Sequence, residues 1–185
     1  MDQFWSGEFG DSYTARNRVD WRARIPFWRY ILDWTGARSV YEVGCNSGWN
    51  LSAIRRAYPD VAVAGSDINE MAISQAWAAG LQARVWAVEN IGGQFEIAFT
   101  AGVLIHTAPD DLPAMMQRIV DASCHFVMAV EYYAPEETGI EYRGHADRLW
   151  KRPYGNLYER MGLELVDSGL AKGFDRCHFW LMERR

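Results

Sequence analysis

The sequence has few cysteines and no cysteine framework. Cys45, Cys124 and Cys177 form an odd, widely separated set of three. Such spacing excludes a disulfide scaffold and a clustered zinc site, and predicts reduced thiols in a cytoplasmic protein that binds no metal. No apolar run approaches the roughly 20 residues of a membrane span, and Met1-Asp2-Gln3 does not open a basic-then-apolar signal segment. A broad basic run is also missing. Nineteen basic residues against 24 acidic ones give a net charge of −5, which disfavours a nucleic-acid partner even though Arg22, Arg24 and Arg29 fall close together. Repeats and low-complexity segments are absent. What remains is one domain over residues 1–185, 49% hydrophobic and long enough for a real core. Nine Trp and an aromatic share of 14% exceed what a core needs and leave residues to line a pocket.

The chain is organised around Val40-Tyr41-Glu42-Val43-Gly44-Cys45-Asn46-Ser47-Gly48-Trp49. Val40, Tyr41 and Val43 suit a buried strand, and Gly44, Asn46 and Gly48 suit a turn with positive φ. A helical run over residues 49–58 follows. Strand, tight turn and helix N-terminus together make a nucleotide cradle, because free N–H groups and the helix dipole favour the polar end of a ligand. A dinucleotide fingerprint would need glycines where Asn46 and Trp49 stand, which argues against NAD or FAD. The spacing Glu42-x-Gly44-x-x-x-Gly48 instead resembles the pattern of class I S-adenosylmethionine-dependent methyltransferases.

Taken in order, residues 4–17 are glycine-rich and polar yet carry Phe4, Trp5, Phe9 and Tyr13. A helical pattern begins near Tyr13, and Pro26 starts a second helical piece. Residues 1–35 then form either an N-terminal helical lid over the sheet or a packing helix with a frayed start. Strands are predicted at 40–43, 61–64, 83–88, 95–101 and 125–130, with helices at 49–58, 69–79 and 110–122 between them. Residues 134–145 read as an irregular stretch and 146–161 as a helix around Pro153. Strands at 164–170 and 176–183 are joined by a link too short for a helix, so they pair as an antiparallel hairpin. The sum is an α/β fold: a doubly wound, mostly parallel, seven-stranded Rossmann-like sheet with an antiparallel C-terminal hairpin.

In such sheets ligands sit outside the carboxyl ends of the strands. Asp67, followed by Ile68, ends the second strand, where a carboxylate either accepts both ribose hydroxyls or caps the next helix. Glu89 and Asn90 end the third, at an adenine edge or in a solvated turn. His106 lies beyond the fourth strand and Glu131, with Tyr132 and Tyr133, beyond the fifth.

Several longer blocks are similar to the pseudaminic acid biosynthesis-associated methylases, a branch of the class I methyltransferases. They are FWSGEFGDSYTARN, YEVGCNSGWNL, GSDIN, GVLIHTAPD, EYYAP and YRGHADRLWKR, in separate stretches across positions 4–152. The chain departs from that family at Asp67, where glutamate is common, and at Pro153-Tyr154, which replace an acidic residue and Phe near Lys151. The resemblance implies a methyltransferase fold with S-adenosylmethionine as cofactor and fixes no substrate; the compact length and the missing basic run favour transfer to an oxygen or nitrogen of a small polar acceptor, sugar-derived or carboxylate-bearing. A cofactor-binding module without turnover, or a methylase of a macromolecule, is the alternative.

Methyl transfer from a sulfonium is an in-line displacement that needs positioning, and a base only where the acceptor carries a proton. His106 has a suitable unperturbed pKa for that base or else ties down its loop. Glu131 joins it in the crevice or pairs with Arg143. Arg143 could equally grip a substrate carboxylate. Tyr13, Arg16 and Asn17 on the lid are expected at the methionine end of the cofactor, with Arg16 facing its carboxylate. Trp5, Tyr132, Tyr133, Tyr142, His145 and Lys151 are the expected acceptor contacts.

Overall fold

Alternating apolar runs and helix-forming segments fold as the pattern dictates through the first two-thirds of the chain. A computed structural model describes residues 3–86 and 94–185. Two short helices, α1 (Gln3–Ser6) and α2 (Glu8–Arg16), precede a 3-10 turn (Trp21–Arg24) and helix α3 (Ile25–Thr35). Then come β1 (Ser39–Val43), α4 (Trp49–Ala57), β2 (Ala62–Asp67), α5 (Glu70–Ala78), β3 (Ala83–Val85) and β4 (Phe95–Ala101). A 3-10 turn (Leu104–His106), α6 (Leu112–Ala122) and β5 (Ser123–Glu131) complete the alternation. The chain ends with β6 (Thr138–Tyr142), β7 (His145–Lys151), α7 (Tyr154–Arg160), β8 (Glu164–Leu170) and β9 (His178–Glu183).

Seven strands form one sheet in the order β3-β2-β1-β4-β5-β9-β8. β1 to β5 pair in parallel, and β9 runs antiparallel to both β5 and β8. The expected seven-stranded α/β sheet with its terminal hairpin is therefore present. Both faces are covered. On one, Trp28 and Ile31 of α3 and Ile54 of α4 pack on Phe99 and Val40, all fully buried. On the other, Ile119 of α6 and Tyr154 and Tyr158 of α7 pack on Ala98, Val127 and Trp180. Pro26 in the first turn of α3 and Gly36 at its end, φ 64°, bound that helix as proline and glycine should. With four buried side chains, α3 belongs to the core.

Three local expectations are corrected. Residues 4–17 are mostly helical, because Phe4, Trp5 and Phe9 pack on one another as the two short helices fold together. The third strand stops at Val85; residues 87–93, with Glu89 and Asn90, lie outside the described residues. Residues 134–161 are not loop and helix: β6 and β7 form a separate two-stranded sheet, and only 154–160 are helical. Leu149 and Trp150 enter the core from β7, and Pro153 caps α7 rather than kinking a longer helix. Among the described residues no helix is long and apolar enough to cross a membrane.

Candidate active site

The turn after β1 is built by three left-handed residues, Gly44 (φ 71°), Asn46 (φ 45°) and Gly48 (φ 75°). At Gly44 an added Cβ would lie 2.5 Å from Val103, and at Gly48 2.2 Å from Leu81, so each glycine also allows close approach. Gly44 thus brings β1 against the loop after β4. Gly48 brings α4 down on the chain before β3, behind the cavity rather than in its wall. Above the turn opens a cavity of about 710 Å³. It runs from Glu42, Asp67 and Trp86 at the strand ends, past Arg24 and Asn50, to His106, Arg118, Asp147 and Arg148.

Asp67 is held by two turns. Its Oδ2 accepts from the Asn46 N–H at 2.8 Å and its Oδ1 from the Asn69 N–H at 2.9 Å. Burial raises its pKa against the pull of those donors. The cap of α5 is Asn69, whose Oδ1 accepts from the Ala72 N–H at 2.8 Å. Asp67 is therefore not the cap and lines the cavity with Ile68. Asn69 also donates to Asp11 of α2 at 2.8 Å, and the Asn46 amide donates to Thr14 at 3.2 Å. These bonds dock α2 as a roof.

Glu42 is 2% exposed and lines the inner end. Its Oε1 accepts from Asn50 at 2.6 Å, and its Oε2 has no partner. Burial pushes the carboxyl up to about 8, with Asp67 adding to the rise and Asn50 and Arg24 opposing it. Arg24 reaches the same point from the other side, donating Nη1 to Asn50 Oδ1 at 2.9 Å while its buried Nε has no partner. Sequence reasoning saw Arg24 only as one of a cluster of arginines. A cation four residues ahead of the buried Trp28 on the same helical run was the available signal.

His106 follows the 3-10 turn after β4. Its Nδ1 lies 2.6 Å from the Arg148 carbonyl, and its ring packs against Trp5 and Tyr142 at centroid distances of 4.6 and 4.8 Å. A carbonyl only accepts, so Nδ1 carries the proton and Nε2 is the acceptor of the neutral ring. Arg148 is brought there by a bulge: Tyr142 faces His145 and Ile140 faces Leu149, so Asp147, at φ 54°, and its neighbours are extra.

Other expected residues stand elsewhere. Tyr13, Asn17 and Trp5 line the cavity, but Arg16 is exposed and lies over the Phe9 and Tyr13 rings. Glu131 is wholly buried and outside the cavity, accepting from the N–H groups of Val103, Leu104 and Ile105; it does not pair with Arg143. Arg143 sits exposed at the β6–β7 turn (φ 52°), over the Tyr142 ring. Tyr132 donates to Asp175 at 3.1 Å, and Tyr133 is exposed beside His178 and Trp180. Lys151 lies over Tyr132, and His145 packs on Phe4 and Phe9. Tyr142 backs His106 without lining the cavity. Tyr142 and His145 miss the cavity because the hairpin turns its tip toward α1 and α2.

No protein-family model matches the chain, and no curated protein does. Solved structures match over almost the whole length. The chain is similar to magnesium protoporphyrin IX methyltransferase (ChlM) from Synechocystis PCC 6803, solved with bound SAM. That match has 16% identity and TM-score 0.70, over 100% of this chain and 94% of that one. Another is the sugar N-methyltransferase KedS8 from Streptoalloteichus sp ATCC 53650, at 14% identity and TM-score 0.72, over 97% and 94%. A third is mitomycin 7-O-methyltransferase MmcR, at 14% and 0.66, over 100% and 69%. The chain has the Rossmann-like α/β fold of these small-molecule methyltransferases.

Proposed function

We propose that the chain is an S-adenosylmethionine-dependent methyltransferase of a small polar acceptor. The observation that carries this reading is a pair of buried atoms without hydrogen-bond partners, Glu42 Oε2 and Arg24 Nε, on two cavity-lining residues that share Asn50. Together they suit a zwitterion, the ammonium of an amino acid at Glu42 and its carboxylate at Arg24. Asp67, at the end of β2, suits the ribose hydroxyls between that end and Ile68 and Trp86, which suit the adenine. When bound, S-adenosylmethionine supplies an electrophilic methyl group on its sulfonium. Arg24 and Glu42 orient the amino-acid end, with Tyr13 and Asn17 closing over it. Gly44 lets the backbone approach it, and Asn46 holds Asp67 in place. The solved methyltransferases of the same fold, one holding SAM, support the cofactor.

His106 is the proton acceptor in this reading, because its Nδ1 is committed to a carbonyl, which makes Nε2 the acceptor nitrogen of the neutral ring. Trp5, Asp147, Arg148 and Trp150 border the acceptor. The roof over the cavity and the lack of a broad basic run in the sequence favour a small acceptor, and acid and guanidinium groups together favour a polar one, such as a sugar derivative. The narrower likeness to pseudaminic acid-associated methylases rests on the sequence blocks alone. We take α1 and α2 as the lid of a single domain. Three unpaired cysteines support a cytoplasmic protein.

Calorimetric titration with S-adenosylmethionine and S-adenosylhomocysteine tests this. Micromolar binding is expected, with Asp67→Ala weakening it at least tenfold. Absence of binding to both ligands would overturn the reading. Binding would justify screening sugars, nucleotide-activated sugars and amino acids for methyl acceptance.

A further inference from the structure

Glu131 and Arg152 are 0% and 1% exposed and neither lines the cavity. Burying a charge is costly unless its bonds are made, so the partners of these two matter. They converge on one short segment. Glu131, the last residue of β5, accepts from Val103 and Leu104 through Oε1, each at 3.1 Å, and from Ile105 through Oε2 at 3.3 Å. Arg152, just beyond β7, donates Nη1 to the Leu104 carbonyl at 2.9 Å and Nε to Glu137 at 2.6 Å. Leu104 is thus gripped by an anion at its N–H and by a cation at its carbonyl. Its segment is the 3-10 turn that ends in His106. So short a turn satisfies few of its own backbone groups and needs outside partners to hold its shape.

We propose that Glu131 and Arg152 are positioning residues that clamp this turn and thereby set the proton on His106 Nδ1, keeping Nε2 as the acceptor. The two strands they come from enclose the same loop: β5 supplies the anion, while β7 supplies the Arg148 carbonyl and leads directly into Arg152. The clamp and the tautomer-setting carbonyl are therefore parts of one unit. A role confined to tying β5 to β4 would not prescribe which imidazole nitrogen is protonated. The groups facing Glu131 are backbone donors on the β4 loop and the Thr100 hydroxyl of β4, with the phenols of Tyr154 and Tyr158 on α7 and the Cys177 thiol as its titratable neighbours. The inference rests on the reading of His106 as proton acceptor.

Nitrogen-15 NMR of histidine-labelled protein at pH 8 reads the tautomer directly. Four histidines are present, and His106→Gln assigns the resonance. In the unmodified protein Nδ1 should be protonated and Nε2 bare. Glu131→Gln places an amide donor against backbone donors, and Arg152→Lys keeps the cation but cannot serve both Glu137 and Leu104. Each should give a mixture of tautomers, with backbone N–H exchange at 103–105 faster by about tenfold or more. An unchanged tautomer in either folded variant overturns the proposal, and Arg152→Lys decides it if Glu131→Gln does not fold. Titration with S-adenosylhomocysteine separates the two claims. The folded variants should bind within about threefold of the parent, whereas a parent that binds no ligand overturns the methyltransferase reading and leaves the tautomer result standing.

Discussion

In the proposed function, Glu42 makes the affinity for S-adenosylmethionine depend on pH in a calculable way. Before the ligand arrives, burial holds its carboxyl at about 8, so at pH 7 about nine-tenths of the molecules carry the proton. An ammonium placed against the unpartnered Oε2 favours the carboxylate and expels that proton. The dissociation constant then scales as 1 + 10^(8 − pH), which falls from about 100 at pH 6.0 to about 4 at pH 7.5, a tightening of roughly 25-fold. The range stops there because an α-amino group loses its own proton near 7.7–8.0. A carboxyl at about 7 would still give roughly eightfold, so a flat profile is decisive. The assay is calorimetric titration with S-adenosylhomocysteine at both pH values, in two buffers of different ionisation enthalpy to count the protons released. Affinity that does not change with pH, or a pH dependence that survives in Glu42→Gln, would refute the reasoning. Arg24 attracts the carboxylate and Asp67 repels it, so both must stay intact in the comparison.

Other outcomes follow from the same geometry. Folded Glu42 and Glu131 hold protons up to about 8 and about 7, above the ordinary 4.5 of the unfolded chain. The folded state therefore binds more protons between those limits, and this part of its stability falls as pH rises through them. Glu42→Gln keeps the acceptor for Asn50 and removes that loss, so its melting temperature should exceed the parent's by more at pH 8.5 than at pH 6. Gly48→Ala meets both positive φ and the Leu81 contact at 2.2 Å and should cost about 2–4 kcal/mol in denaturant unfolding. Adding Leu81→Ala should relieve only the second part. His106→Ala should slow methyl transfer about 100- to 10,000-fold with cofactor affinity unchanged; equal loss of affinity would assign His106 to the cofactor instead.

The strand-end half of the cavity was legible because it is written in local conformation. Gly44, Asn46 and Gly48 announce a left-handed turn, Val40 to Val43 announce the strand before it, and Asp67 follows at the end of the next strand. Parallel pairing of β1 and β2 then brings Glu42 and Asp67 to one end without further information. The choice of cation was not local. Arg16 and Arg24 flank the same bend, and which of them faces the cavity depends on how α2 docks. That docking uses Asn69 on Asp11 and Asn46 on Thr14, contacts across 58 and 32 residues. A pattern within either segment carries no trace of them.

Glu131 shows a different limit. Its position at the end of β5 was right and its direction was not: the carboxylate turns beneath the β4 loop instead of into the crevice. The proposed acceptor half suffers most from this, since it depends on a hairpin that periodicity reads as an irregular stretch followed by a helix. In that hairpin two steps of β6, from Ile140 to Tyr142, are matched by four of β7, from His145 to Leu149. The surplus residues form the bulge that carries Asp147 to the cavity and the Arg148 carbonyl to His106. A bulge is set by pairing with another strand and leaves little mark on its own sequence. In the proposed function, cofactor binding is therefore written into a turn, whereas acceptor choice is written into tertiary pairing. Substitutions that shift the bulge without touching Glu42 or Asp67 are accordingly the ones that should alter the acceptor and spare the cofactor.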